Sequence, residues 1–177
     1  MSGAAPWRPG TCSTWGTAAS AVGDLPDERF GFRAGLDRHA GYRAELAAHG
    51  VAIDPGLERQ GPFGQDVARD HAVELLGLDR PPTAIVATSD TQALGVLEAA
   101  RELQVPVPEQ LSVVGYDDIE IAGFADLTTV RQPLHETGAC GAELLLELLE
   151  GAQDEPVVEE LAVELAVRRT TAPPPIR

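Results

Sequence analysis

Residues Pro81–Pro133 read PPTAIVATSDTQALGVLEAARELQVPVPEQLSVVGYDDIEIAGFADLTTVRQP. Within this stretch Ala84–Thr88 is a continuous apolar run bounded by Pro82 and Asp90. A run with no polar alternation predicts a strand buried on both faces, the habit of parallel sheets. Asp90 is a residue type that caps helices, and Ala93, Leu94, Leu97, Ala100 and Leu103 then recur at helical spacing, which predicts a helix over Thr91–Leu103. Pro106 and Pro108 end it, and Leu111–Tyr116 is a second buried strand. Strand, helix and strand at this spacing form a βαβ unit with a right-handed crossover. Leu127–Val130 predicts a further strand. The fold class that follows is α/β, a doubly wound parallel sheet.

Outward from this block the pattern continues on both sides. Gln65–Leu76 carries Val67, Ala68, Ala72, Val73, Leu75 and Leu76 on one helical face. A shorter stripe of Tyr42, Leu46, Ala47 and Ala48 follows Arg38 and is stopped by Gly50. Downstream, Leu134–Glu150 predicts a helix with Leu144, Leu145, Leu148 and Leu149, ended by Gly151. Val157, Val158 and Leu161–Val167 read as extended segments, and Pro173–Pro175 closes the pattern. Residues 1–20 show no period of either kind and stay unassigned.

Composition narrows the function. The 177 residues carry 28 acidic and 13 basic side chains, a net charge of −15, and every basic residue is an arginine. DNA binding demands clustered cations to replace phosphate counterions, and the densest basic run is Arg168–Arg169, so direct nucleic-acid binding by this chain is not expected. Cys12 and Cys140 have no metal spacing, nor do His39, His49, His71 and His135, and no cofactor is expected. GxSxG, GxGxxG and P-loop motifs are absent, and the adjacent Asp117–Asp118 pair lacks a nucleophile, so no enzyme activity is expected. With no secretion signal and no apolar run of membrane length, the expectation is a soluble cytoplasmic protein.

The block Pro81–Pro133 resembles the LacI/GalR family of transcription regulators. Ser-Asp before Ala-Leu-Gly, Val-Pro-Glu leading into Ser-Val-Val-Gly-Tyr-Asp-Asp, and Leu-Thr-Thr-Val-Arg-Gln-Pro agree in order and spacing. Arg38-His39-Ala40-Gly41-Tyr42 and Val167–Pro174 extend the resemblance over about residues 21–174. It implies a periplasmic-binding-protein-like type I fold with a small-molecule effector, commonly a sugar, in the cleft between two lobes. Residues 21–127 would supply the C-terminal lobe, and residues 128–177 the returning helix and strands of the N-terminal lobe. The helix-turn-helix headpiece and most of the first lobe would be missing, so DNA would be reached only through a headpiece outside this chain. A homodimer is the expected assembly. The rival reading is a stand-alone sugar-binding protein for transport or sensing, against which the Val-Pro-Glu and Gly-Tyr-Asp-Asp wording counts.

Site residues follow from the same resemblance, one at a time. Arg38 corresponds to an arginine that forks onto ligand hydroxyls or a carboxylate, although a plain helix-start arginine is the alternative. Asp117, after a buried strand, would accept hydroxyl hydrogen bonds, or else serve as a loop aspartate. Ser89 falls at a position often polar in the family and could equally be a turn serine. Phe63 falls where an aromatic meets the ligand ring, with core packing the alternative. Asp90 belongs to the set, but a helix-capping role is the better reading. The patternless start also has a codon-level account. Reading Arg8–Ser20 one frame away permits a family-like segment, so residues 1–20 are read as out-of-frame translation, with the family frame resuming near Ala21.

Overall fold

The computed structural model describes residues 19–24 as backbone, and residues 34–52, 54–151 and 157–173 with their side chains. The expectation for residues 1–20 thus falls, up to residue 18, outside the described residues. Six strands form one sheet in the order β2-β1-β3-β4-β5-β6: β1 is Ala19–Asp24, β2 Glu58–Gly61, β3 Ala84–Ala87, β4 Ser112–Asp117, β5 Thr128–Arg131 and β6 Glu164–Ala166. All neighbours run parallel except β5 and β6, which are antiparallel. The α/β doubly wound class is the one observed.

The helices are α1 (Ala34–Ala48), α2 (Gln65–Leu76), α3 (Asp90–Glu102), α4 (Glu120–Phe124) and α5 (Leu134–Leu149). The core joins Ala68, Ala72 and Leu75 of α2 to Ala93, Val96 and Ala99 of α3 and to Ile85, Leu111, Val113 and Leu127 from the sheet side. So many alanines let α2 and α3 approach closely. Gly95 marks the tightest point, where an added Cβ would stand 2.2 Å from the Gln65 carbonyl oxygen.

Two expectations change. Helix α1 begins at Ala34 rather than at Arg38, so Arg38 lies beyond the first turn and is not a helix-start residue. The cap of α3 is Ser89, whose backbone is extended and whose Oγ accepts the Gln92 N–H. Asp90 is already the first helical residue, and its carboxylate points elsewhere.

Strands β5 and β6, which follow the division expected between residues 127 and 128, join the same sheet as β4. Strand β5 pairs with β4 through Val114–Thr128 to Asp117–Arg131, and β6 pairs with β5. The tail is fastened to the same unit: Thr170 Oγ1 accepts the Thr128 N–H and donates to the Val113 carbonyl, and the Val113 N–H donates to the Thr170 carbonyl. Those buried threonines are fully engaged, so β5, β6 and residues 168–172 belong with β1–β4. Helix α5 stands apart from this unit. None of its residues is buried, and Leu145, Leu146, Leu148 and Leu149 are all exposed.

Candidate effector-binding site

In a 2-1-3-4-5 order the chain leaves β1 toward β2 on one side and toward β3 on the other. The loops at the carboxyl ends of these strands therefore diverge and leave a crevice. A cavity of about 340 Å³ lies there, walled by Asp37, Arg38, His39 and Tyr42 of α1, by Val86, Ala87 and Thr88 at the end of β3, and by Tyr116 of β4. That volume is at the small end of those that hold small-molecule ligands.

Arg38, in the wall of this crevice, reaches Asp117, which stands behind the wall and is not itself one of the lining residues. One guanidinium nitrogen of Arg38 donates to the Thr88 carbonyl at 2.8 Å, and another stands 3.2 Å from Asp117 Oδ1. The guanidinium carbon lies 3.9 Å from the centre of the Tyr116 ring. A planar cation with a fork of donors can stack, bridge and pair at once, which an ammonium cannot. Asp117 also accepts from Gln132 Nε2 at 2.6 Å. Burial pushes its carboxyl above the usual range, with help from the nearby Asp90 charge, against the opposing pull of Arg38 and Gln132.

Asp118 has the opposite fate. Burial alone would raise its pKa, but Arg131 at 2.6 Å and Arg168 at 2.5 Å outweigh burial and hold it below the usual range. Two guanidinium groups on one carboxylate keep Asp118 ionised.

The other expected residues lie away from the cavity wall. Ser89 is buried, its Oγ accepting from the Gln92 N–H and donating to Gln92 Oε1. Asp90 is fully buried, with its oxygens turned to Thr129 and Ile119. Phe63 is exposed on the surface before α2 and is not among the lining residues.

Sequence reasoning missed His39, Tyr42 and Tyr116 as wall residues. His39 Nε2 lies 3.2 Å from Glu58 Oε1, without hydrogen-bond alignment, its ring is stacked near Tyr42, and Glu58 is paired in turn with Arg43. The available signals were Tyr42 one helical turn beyond Arg38, and Tyr116 immediately before Asp117.

A wound α/β lobe with a cavity at its switch point has the form of a small-molecule-binding domain. Residues 22–171 match the periplasmic binding protein-like domain model. The chain is 35% identical over 136 residues to the HTH-type transcriptional repressor PurR of Vibrio campbellii, a match covering 76% of this chain and 41% of the repressor. Among solved structures, a LacI-family regulatory protein from Chloroflexus aggregans superposes with a TM-score of 0.78 at 31% identity, over 87% of this chain and 55% of that one. The transcriptional regulator CelR in complex with cellobiose gives 0.80 at 31%, over 92% and 49%. The chain belongs to the periplasmic-binding-protein-like family, in the form that serves as effector domain of LacI-family regulators. It spans about two-fifths of the length of the curated relatives it matches. These relatives are transcriptional regulators rather than enzymes.

Proposed function

We propose that this chain binds a small, sugar-like polyhydroxylated effector in the crevice beside Arg38 and controls a transcription regulator through it. The observation that carries the reading is Arg38, laid over Tyr116 in the wall of the switch-point cavity and paired with Asp117 next to it. Arg38 offers forked donors, Asp117 offers acceptors for adjacent hydroxyls, and the rings of Tyr42 and Tyr116 offer apolar faces to a sugar ring. Phe63, whose ring is exposed, is assigned to the outer side of the ligand. Ser89 and Asp90 act from behind the wall, by fixing the start of α3 and the turn after β4. In the whole regulator, effector binding shifts the population of lobe arrangements in a cytoplasmic homodimer, and so alters how headpieces meet DNA. CelR binding cellobiose supports a saccharide as ligand class.

The test uses an internal reporter. The sequence has only two tyrosines, Tyr42 and Tyr116, and both line the cavity. Protein labelled with 3-fluorotyrosine therefore gives two 19F signals, each from the site. Titration with cellobiose and a panel of monosaccharides should move both signals for one sugar class, and Arg38→Ala should abolish the response. Unmoved signals for every sugar at millimolar concentration would remove the saccharide reading.

A further inference from the structure

We propose that Asp90 is a positioning residue: from beneath the wall it holds the Asp117–Ile119 turn in the conformation that presents Asp117 to Arg38. The proposal rests on the reading of Asp117 as an effector contact, but its geometry is independent of any ligand.

The turn after β4 is unusual backbone. Asp117 has φ +116° and Asp118 φ +57°, two consecutive non-glycine residues on the left-handed side, each of which persists only where surroundings compensate. The compensation comes from below. The Ile119 N–H donates to Asp90 Oδ2 at 2.9 Å, and the Asp118 backbone also bonds to the same carboxylate. Thr129 Oγ1 of β5 donates to the other oxygen, Oδ1, and fixes the plane of the group. The carboxylate thus ties the start of α3, the β4–α4 turn and β5 at one point.

A structural helix-start aspartate would face the amides of its own first turn, where the helix dipole favours it. Asp90 instead turns both oxygens to other elements. It is completely buried, its named partners are neutral donors, and burial raises its pKa. Retaining a buried carboxylate without a cationic partner is costly, and the turn it organises is the one that carries Asp117. Gly115 clears the space, since a Cβ there would stand 2.3 Å from Asp90 Oδ1.

The test needs no ligand, so a failure of sugars to bind and a failure of this proposal are separate results. In the fluorotyrosine-labelled full chain, Asp90→Ala should accelerate exchange of the Ile119 amide by about tenfold or more. It should also move the Tyr116 signal toward its position in Asp117→Asn while leaving Tyr42 in place. Asp90→Asn, which keeps an acceptor for Ile119, should restore part of both changes. If Asp90→Ala does not fold, Thr129→Val serves in its stead: it removes only the hydroxyl that orients the carboxylate, and should shift Tyr116 in the same direction by less. A folded Asp90→Ala or Thr129→Val protein whose Tyr116 signal matches the parent would overturn the proposal.

Discussion

Gly115→Ala tests the centre of the site with a single methyl group. In a strand, alanine is ordinarily favoured over glycine by about 0.5–1 kcal/mol, because less backbone entropy is lost on folding. At Gly115 the added Cβ would sit 2.3 Å from Asp90 Oδ1, 3.0 Å from Leu127 Cδ2 and 3.2 Å from Ala93 Cβ. All three neighbours are fully buried, and the Asp90 side chain is short and bonded at both oxygens, so it cannot swing aside without releasing Thr129 or Ile119. Losing one hydrogen bond to a charged group costs about 1.5–3 kcal/mol, and crowding adds to it. The net expectation is a loss of about 1–2 kcal/mol, or a melting temperature lower by about 2–8 °C for a chain of this size. Gly41→Ala is the control: α1 has nothing within 4 Å of that position, and the gain there should be up to about 1 kcal/mol. Urea and thermal unfolding followed by circular dichroism read both. A Gly115→Ala protein as stable as Gly41→Ala would refute the reasoning about Asp90 and the space reserved for it.

Arg38→Ala should cost about 1–2 kcal/mol in urea titrations, the low end for a charged hydrogen bond because the side chain is partly exposed, and carboxyl 13C titration should find Asp117 raised further. Asp90 and Asp117 have folded pKa values above the ordinary 3.8, so the stability they lend is complete below that pH and is lost as pH rises through the folded values. Asp118 is lowered, and its contribution is present above 3.8 and lost as pH falls through its folded value. Urea midpoints from acid to neutral pH should therefore fall on both sides of a mildly acidic maximum, and Asp90→Asn should flatten the upper limb; an unchanged limb would reject that assignment. Replacing exposed Leu145 and Leu149 of α5 with serine should alter stability by no more than about 0.5 kcal/mol yet reduce concentration-dependent association in sedimentation experiments. Equal association of variant and parent would show that the stripe recruits nothing.

Elements with an apolar pattern were legible in the sequence, and the edge strand β2, which has none, was not. Strand β3, helix α3 and strand β4 lie within a residue or so of expectation, because Ile85, Val96 and Val113 are buried and need an unbroken apolar text. Strand β2 reads Glu-Arg-Gln-Gly and pairs on one side only; no apolar pattern is required of it, and none announced it. Ser89 and Asp90 are both good caps by residue type, and only the extended backbone at Ser89 decides between them. The place of β5 in the sheet is not a local matter either: Thr128 is satisfied by Thr170 and Thr171, some forty residues away, and no local pattern shows that. Arg38 and Asp117 were named from the resemblance and do stand together. Tyr42, Tyr116 and His39 needed coordinates, since an aromatic or histidine at helical or strand spacing usually belongs to a core or a solvated face.

Because β5 and β6 are antiparallel neighbours, residues 132–163 occupy the position of a hairpin loop, grown large enough to contain α5. The neck of this loop is latched: Asp118 holds Arg131, the last residue of β5, and Arg168, just beyond β6. Topologically the loop is a cassette. The sheet closes beneath it whatever it contains, and a tight turn in its place would satisfy the strand pairing equally well. The leucine-rich helix can therefore be exchanged or redesigned without rewriting the lobe, and what passes between the crevice and that helix crosses at the neck, where Asp118 holds Arg131 and Arg168 and Asp117 holds Gln132.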